Sequence, residues 1–233
     1  MLKSVVTGFS QEEWDIWGVS FLASLKDQAN FIGQIIFVCE DFFSKLTKNK
    51  LQELGIVLLL PNNEILDPRM RIWLTLSDYV KQNPGLYIYW DSDVYFQAPI
   101  TPLLALQTSF ISSQGHPGLL GGLDAFWGQL GVFIKVASFI EPDMTASLFL
   151  DKFIRYIGPL EKVDNTWNFS GLPILKEKDG QLTYKGEVVN IIHPVGSLKY
   201  SLAIRPMLYP ERQPSSYKHW RSLLTNGISL RAL

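Results

Sequence analysis

Two carboxylates with one residue between them stand between two apolar runs near the middle of the chain. Residues 86–90 read Leu-Tyr-Ile-Tyr-Trp, Asp91, Ser92 and Asp93 follow, and residues 94–96 restore the apolar pattern. Buried carboxylates are unfavourable unless something compensates their charge. Mg²⁺ and Mn²⁺ bind carboxylate oxygens and are often coordinated by substrate phosphates as well, so this spacing predicts a divalent-cation site. A solvated turn is the alternative, and the apolar flanks disfavour it.

A histidine, a glycine and a lysine form a second group late in the chain, at His193, Gly196 and Lys199. A neutral imidazole can complete a metal shell that carboxylates begin. Gly196 allows backbone N–H groups to approach an anion closely, and Lys199 supplies a positive charge for a diphosphate. Taken singly, a strand-end histidine and a surface lysine are the simpler interpretations. In a chain that also carries the two spaced carboxylates, the pattern favours a shared metal and phosphate site.

Alternating strands and helices must position these groups. Strands are predicted over residues 2–7, 34–39, 56–60, 86–90, 129–135 and 188–192, and helices from residue 10 and over 41–54, 68–82 and 142–157. In the first half, the alternation argues for right-handed crossovers and an α/β fold with a mainly parallel sheet. Ligands bind such sheets at the carboxyl ends of strands. Thr7, Gly8 and Phe9 lie at one such end, and the segment from Asp91 to Asp93 lies at another.

Length and composition limit the classes of function. The 233 residues, 47% of them hydrophobic, are expected to form one domain over residues 1–204 and a tail over 205–233. With 21 Lys and Arg against 22 Asp and Glu, the chain has no global basic field, so we expect no nucleic-acid partner. No apolar run reaches about 18 residues and no signal peptide is visible, so the expected compartment is the cytoplasm. The single cysteine, Cys39, is expected to be buried.

The tail is basic and rich in large apolar side chains. Its charged residues are Arg205, Glu211, Arg212, Lys218, Arg221 and Arg231, and its large apolar residues include Tyr217, Trp220, Leu223 and Leu224. This mixture predicts docking either to an anionic membrane, at its inner face, or to a partner subunit such as a second copy. A tail helix that packs on its own domain is the alternative, and we favour it.

Together, the motifs resemble glycosyltransferase family 8, whose members have the GT-A fold. That family has an N-terminal strand that meets the nucleotide, a helix with a basic residue before an Asp-x-Asp strand, and a late His-x-x-Gly-x-x-Lys motif. The corresponding positions over about residues 1 to 200 are Thr7 to Phe9, Arg69 or Arg71, Asp91 to Asp93, and His193 to Lys199. The chain departs from the family at Tyr200-Ser201, where Pro-Trp is frequent. It also departs at residues 129–134, where the family usually has an Asn-Ser/Ala-Gly stretch.

The resemblance implies a role for each group of residues. The implied ligands of Mn²⁺ or Mg²⁺ are Asp91, Asp93 and His193. The implied nucleotide-binding residues are Thr7, Gly8, Phe9, Arg69 or Arg71, Asp91, Ser92, Gly196 and Lys199. The implied catalytic residues, near the donor sugar, are Asp164, Asn165 and Asn168. The corresponding structural alternatives are a core role for Phe9, a solvated helix face for the two arginines, and a turn at Asp164-Asn165.

The implied function is metal-dependent transfer of a sugar from a nucleotide-sugar, with UDP-sugar as the expected donor, and with retention of configuration. A haloacid-dehalogenase-type phosphatase is disfavoured because the Asp-x-Asp pair lies on a later strand and Tyr95 stands where Thr or Val is usual. A nucleotidyltransferase is disfavoured because residues 7–10 are poor in glycine. A non-catalytic nucleotide-sugar-binding or scaffold protein of the same fold stays open as the alternative.

Overall fold

The computed structural model describes residues 3–39, 43–61, 68–105, 110–113, 125–129, 141, 144, 161–163, 165–167, 169, 175–179 and 181–193. The chain divides into two compact units, each built from separate stretches. The first unit comprises Met1–Gln11, Gly33–Asp91 and Gln107–Val163. The second unit comprises Glu12–Ile32, Ser92–Leu106 and Asp164–Leu233.

The strands, in chain order, are β1 (Lys3–Phe9), β2 (Gln34–Cys39), β3 (Val57–Leu59), β4 (Leu86–Trp90), β5 (Tyr95–Phe96), β6 (Phe110–Ser113), β7 (Ala125–Gln129), β8 (Glu161–Val163), β9 (Lys176–Lys178), β10 (Gln181–Tyr184), β11 (Glu187–Val188) and β12 (Ile191–Ile192). The α-helices are α1 (Gln11–Glu13), α2 (Val19–Ala23), α3 (Lys45–Glu53), α4 (Pro68–Gln82) and α5 (Thr101–Leu104). Two π-helical segments span Trp14–Gly18 and Ser24–Gln28, and a 3-10 helix spans Asn165–Trp167. None of the described helices is long and apolar enough to cross a membrane.

A seven-stranded sheet forms the centre of the first unit, in the order β3-β2-β1-β4-β7-β6-β8. The first four strands in this order are parallel to one another, and β7 is antiparallel to both β4 and β6. Apart from their first residues, β1, β2 and β4 are buried throughout. Strands that are covered on both faces are expected to be almost continuously apolar. The predicted α/β fold with a mixed, mainly parallel sheet is therefore confirmed.

Helix α4 covers the face of β4 that carries its tyrosines. The helix begins at Pro68, where the missing backbone N–H has no helical partner to lose. The ring centroids of Trp73 and Tyr89 lie 4.7 Å apart, and those of Tyr79 and Tyr87 lie 6.4 Å apart. Because the earlier helix residue meets the later strand residue, α4 runs antiparallel to β4. The start of α4 therefore lies toward the carboxyl end of β4.

The predicted helix over residues 41–54 begins later than expected, at Lys45 in α3. The reason is a cap at Ser44, whose Oγ accepts a hydrogen bond from the Thr47 backbone N–H at 3.1 Å. The helix ends before Gly55, which has φ of +73°, a value that glycine adopts without steric cost.

The second unit begins with a helical stretch in which α-helical and π-helical turns alternate. Its large apolar residues recur at helical spacing, and Trp14, Trp17, Phe21 and Leu25 are all buried. Gly18 is required there, since a Cβ atom at that position would overlap the ring of Trp14. The predicted helix from residue 10 is therefore present, but its π-helical turns were not predicted, because the periodicity of a single sequence does not distinguish them from α-helical turns.

Two small sheets complete the described part of the second unit. One contains β9, β10 and β11, and the other pairs β5 with β12 in antiparallel fashion. The predicted strand over residues 188–192 is wrong as a single element, because β11 and β12 are separated by Val189 and Asn190. The Val189 backbone N–H donates to the Leu182 carbonyl at 3.0 Å, while the side chain of Asn190 donates to Thr166 Oγ1 at 2.7 Å. These contacts direct the two residues to different partners.

Several predicted elements lie outside the described residues. They are most of the strand over residues 129–135, most of the helix over 142–157, and the tail over 205–233.

Candidate metal centre

The first carboxylate follows directly from β4. Tyr89 and Asp91 are two residues apart, so in an extended chain their side chains project to the same side of the sheet. Tyr89 Oη donates a hydrogen bond to Asp91 Oδ1 at 3.0 Å. Tyr89 itself is buried, and Asp91 is partly exposed. The apolar strand therefore ends in a carboxylate that already has one hydrogen-bond donor.

The second carboxylate and the histidine are brought together by the pairing of β5 with β12. Ile192 pairs with Tyr95 in this antiparallel register, so the next position, His193, lies opposite Val94 and beside Asp93. His193 Nε2 lies 3.1 Å from Asp93 Oδ1, and the two side chains are only 4% and 8% exposed. The prediction that these distant residues meet is therefore supported by the strand register and by the contact.

The backbone on the other side of β12 fixes His193 further. The His193 N–H donates to the Phe169 carbonyl, and the Phe169 N–H donates to the Ile191 carbonyl, both at 2.9 Å. Phe169 follows the 3-10 helix that contains Asn165, one of the predicted catalytic residues. The stretch that was predicted to lie near the donor sugar therefore runs beside the strand that carries His193. Two other predicted members of that stretch, Asp164 and Asn168, lie outside the described residues.

Asp91, Asp93 and His193 each offer one potential ligand atom, and these atoms lie within 4.8 Å of one another. One residue, Ser92, separates Asp91 from Asp93 along the chain. Two carboxylates and an imidazole form a donor set that suits Mn²⁺ or Mg²⁺. The residues present therefore fit the divalent cation that the sequence predicts.

The three residues predicted to face the nucleoside, Thr7, Gly8 and Phe9, end β1, which lies beside β4 in the parallel sheet. Thr7 Oγ1 is buried and makes no hydrogen bond within the described part of the chain. Buried polar atoms in proteins are normally hydrogen-bonded, so a bound ligand or a water molecule is the expected partner of this hydroxyl. Phe9 is fully buried with its ring 4.9 Å from that of Phe37, which agrees with its core alternative.

The predicted basic residues occupy the first turns of α4. The antiparallel course of α4 along β4 places this part of the helix toward the Asp91 end of the strand. Arg71 is half-buried, and the structure describes only the backbone at Arg69. The choice between the two arginines stays a prediction, as do the phosphate contacts of Gly196 and Lys199, which lie outside the described residues. Ser92 is buried between the two carboxylates.

Sequence analysis missed Gln97, whose side chain joins three segments of the second unit. Its Oε1 accepts from the Leu182 backbone N–H at 2.9 Å, and its Nε2 donates to the carbonyls of Leu182 and Val189 at 3.1 and 2.6 Å. Its own backbone N–H donates to the Asn190 carbonyl at 2.8 Å. Gln97 thus fixes β10 and the approach to β12 against the end of β5. The available signal was a glutamine directly after an apolar strand.

Comparison with known proteins gives matches of structure. No protein-family model and no curated protein sequence matches the chain. The apo form of the glycosyltransferase GlyE in Streptococcus pneumoniae TIGR4 is similar over 97% of this chain and 62% of that protein, with a TM-score of 0.64 and 13% identity. The chain therefore spans about three fifths of the length of GlyE.

Two further glycosyltransferases have a similar fold. The galactosyltransferase LgtC, solved in complex with donor and acceptor sugar analogs, matches over 99% of this chain and 97% of its own, with a TM-score of 0.56 and 13% identity. The bifunctional glycosyltransferase WbbM matches over 97% of this chain and 50% of its own, with a TM-score of 0.56 and 11% identity. Together with the parallel core of the first unit, these matches show that the chain has the GT-A fold of these glycosyltransferases.

Proposed function

We propose that this chain is a metal-dependent glycosyltransferase that moves a sugar from a nucleotide-sugar, with UDP-sugar as the expected donor, to an acceptor. The observation that carries the proposal is the buried contact of 3.1 Å between His193 Nε2 and Asp93 Oδ1. With Asp91 within reach, this pair supplies the oxygen and nitrogen ligands that Mn²⁺ or Mg²⁺ accepts. The shared fold with known glycosyltransferases supports the same function.

In this proposal, Asp91, Asp93 and His193 hold the cation. When bound, the cation neutralises negative charge on the departing nucleoside diphosphate. The low exposure of Asp93 and His193 strengthens their electrostatic interactions, because water screens charges less in a buried site. Lys199 and the backbone near Gly196 are proposed to contact the diphosphate, and Asp164, Asn165 and Asn168 are proposed to position the donor sugar.

We further infer transfer with retention of the anomeric configuration, which follows from the His-x-x-Gly-x-x-Lys resemblance. A retaining transfer needs no strong base beside the acceptor, because the departing phosphate can accept the proton. An α-linked donor should therefore yield an α-glycoside. NMR of the first product tests this, and a β-glycoside would indicate inversion.

Thermal stabilisation by donor tests the proposal without knowledge of the acceptor. The full chain is heated with UDP-, GDP- or CMP-sugars, each with Mn²⁺ and with EDTA. A ligand that binds the folded state raises the melting temperature by mass action, so a UDP-sugar should do so in Mn²⁺ and lose the effect in EDTA. Equal shifts in both conditions, or none with any donor, would contradict the proposal. Stabilisation by a donor, without release of UDP when a panel of acceptor sugars is added, would instead indicate a non-catalytic nucleotide-sugar-binding protein.

The location and the tail are proposals of a different kind, since they come from the sequence. A cytoplasmic location is expected, with residues 205–233 either packed on the chain's own domain or docked to an anionic membrane or a partner subunit. Co-sedimentation with anionic liposomes at low and high salt tests the membrane version. Absence of binding at low salt would exclude it.

A further inference from the structure

A buried phenol hydroxyl contacts the first carboxylate of the candidate centre. Tyr89 Oη donates to Asp91 Oδ1 at 3.0 Å, while the Tyr89 side chain lies in the core and the residue is 5% exposed. A phenol is neutral, so it satisfies a lone pair of the carboxylate without cancelling its charge. An arginine or lysine at this position would instead compete with a cation for the same negative charge. The contact therefore suits a carboxylate that must also bind a metal ion.

The tyrosine is held in place from two directions. Its backbone lies in the middle of the sheet, where β4 pairs with both β1 and β7. Its ring lies against Trp73 of α4, with ring centroids 4.7 Å apart and planes inclined at 49°. A side chain with only two torsion angles and packed in this way has few alternative positions. Its hydroxyl therefore gives Asp91 a fixed point of attachment.

A second tyrosine on the same strand provides an internal comparison. Tyr87 is two residues earlier, faces the same side of β4 and packs against Tyr79 of α4. Its hydroxyl donates to the backbone carbonyl of Asn83, close to the start of β4. The two tyrosines thus share strand, face, burial and covering helix, and they differ in whether the acceptor is a carbonyl or a carboxylate of the candidate centre.

We propose that Tyr89 is a positioning residue that holds Asp91 through Oδ1 and so orients this carboxylate for the divalent cation. The inference rests on the proposed function, because it assigns Asp91 a role as metal ligand. Hydrogen-bond partners of metal ligands fix ligand orientation, and their removal typically lowers metal affinity by about 10–100-fold. Loss of one neutral donor to one of several ligands belongs at the lower end, so we expect about a tenfold effect.

The test compares Tyr89→Phe with Tyr87→Phe in the full chain, by calorimetric titration with MnCl₂ alone and by thermal denaturation. Each substitution removes one buried hydroxyl, so both variants should lose a similar amount of melting temperature. Mn²⁺ affinity should fall about tenfold in Tyr89→Phe and change less than about twofold in Tyr87→Phe. A third measurement repeats Tyr89→Phe in an Asp91→Asn background, where the effect on Mn²⁺ affinity should largely disappear.

The possible outcomes separate this inference from the proposed function. Wild-type protein that binds Mn²⁺, together with an unchanged affinity in Tyr89→Phe, overturns the positioning role and leaves the metal site in place. Equal losses of affinity in both tyrosine variants, or a loss that persists in the Asp91→Asn background, overturn it in favour of a structural role. Wild-type protein that does not bind Mn²⁺ overturns both the inference and the metal dependence of the proposed function.

Discussion

Asp91 and His193 are positioned by very different amounts of local structure. Asp91 follows β4, a five-residue strand with partners on both sides, and accepts a hydrogen bond from a tyrosine two residues earlier. His193 follows the two-residue strand β12, whose partners are the equally short β5 and the single residue Phe169. Support for Asp91 is thus largely a property of one strand, whereas support for His193 comes from segments distant in sequence. The paired substitutions Tyr89→Phe and Tyr87→Phe should therefore differ in metal affinity at similar stability, whereas substitutions near His193 should change both quantities.

The largest effect is expected for Asp93→Asn. Asp91 and His193 can bind the same cation only if Asp93, the carboxylate in contact with His193, binds it as well. The substitution preserves size and removes the charge, so Mn²⁺ affinity should fall by more than about 100-fold, which exceeds the usual effect of removing a group that is hydrogen-bonded to a metal ligand. Calorimetric titration with Mn²⁺ measures the loss. Asp78→Asn is the matched control, since Asp78 is an exposed carboxylate that pairs with Lys81 at 2.8 Å on α4. Similar Mn²⁺ affinity in the two variants would remove Asp93 from the centre.

His193→Ala should weaken Mn²⁺ binding by about 10–100-fold and also lower the melting temperature. The second effect follows because Asp93 would lose its buried neighbour at 3.1 Å and its charge would be left less well compensated. Excess Mn²⁺ should restore part of both losses, since two carboxylates remain and metal binding stabilises the folded state. If excess Mn²⁺ restored neither, His193 would be a core residue and not a metal ligand.

Gln97→Leu tests whether the support for His193 is distributed over several segments. The substitution removes the Gln97 partner of two backbone groups, the Leu182 N–H and the Val189 carbonyl. An unpaired buried group costs about 1–3 kcal/mol, so the free energy of unfolding should fall by about 3 kcal/mol. Metal affinity should fall as well, by up to about tenfold, because the approach to β12 is no longer held. Urea denaturation and calorimetry measure the two quantities.

The matched control for Gln97 is Gln34→Leu in the first unit. Gln34 Oε1 accepts from Ser4 Oγ at 3.2 Å and from Tyr79 Oη at 3.3 Å, near the start of the parallel strands. Its loss should lower the free energy of unfolding by about 1 kcal/mol and leave metal affinity unchanged. A loss of metal affinity in Gln34→Leu that matched the loss in Gln97→Leu would show that general destabilisation, and not the contacts of Gln97, affects the centre.

The smallest effect is expected for Tyr87→Phe at high pH. Burial, together with the neighbouring Tyr79, raises the pKa of Tyr87 to about 12, whereas an unfolded tyrosine has a pKa of about 10. The folded state therefore binds this proton more tightly. The resulting stabilisation is complete below pH 10 and is lost as the pH rises from about 10 to 12. Urea denaturation between pH 8 and 11 should show a shallower decline in Tyr87→Phe than in the wild type. If the free energy of unfolding declined equally with pH in both proteins, the raised pKa of Tyr87 would be contradicted.

The sequence predicted the part of the fold in which local pattern and tertiary structure agree. Continuous apolar runs in β2 and β4 indicate burial on both faces, and Pro68 indicates the start of α4. The Asp-x-Asp pair could be predicted as a metal site because its carboxylates interrupt such a run. The contact of this pair with His193 could be predicted only from the family resemblance, because a single sequence contains no direct signal of which distant segments pair.

The features that the sequence did not predict depend on hydrogen bonds made by side chains rather than on backbone pairing between strands. The run over residues 188–192 reads as one strand, yet Gln97 and Thr166 bind its middle and divide it into β11 and β12. The role of Tyr89 was missed for a related reason, because an apolar strand that contains tyrosines gives no indication of where their hydroxyls point. Both features became visible only when hydrogen-bond partners could be assigned.

The short pairing between β5 and β12 also has a consequence for synthesis of the chain. A ribosome that adds about 5–20 residues per second needs about 5–20 s to make the hundred residues from Asp93 to His193. During that interval β5 lacks its partner strand, although Ser24 Oγ, made earlier, can already accept a hydrogen bond from the Phe96 N–H, as it does at 3.2 Å in the finished fold. A nascent chain that stops before residue 190 should therefore carry the complete Asp-x-Asp motif and still lack the centre, because the pairing of β5 with β12 has to wait until residues 191 and 192 are made.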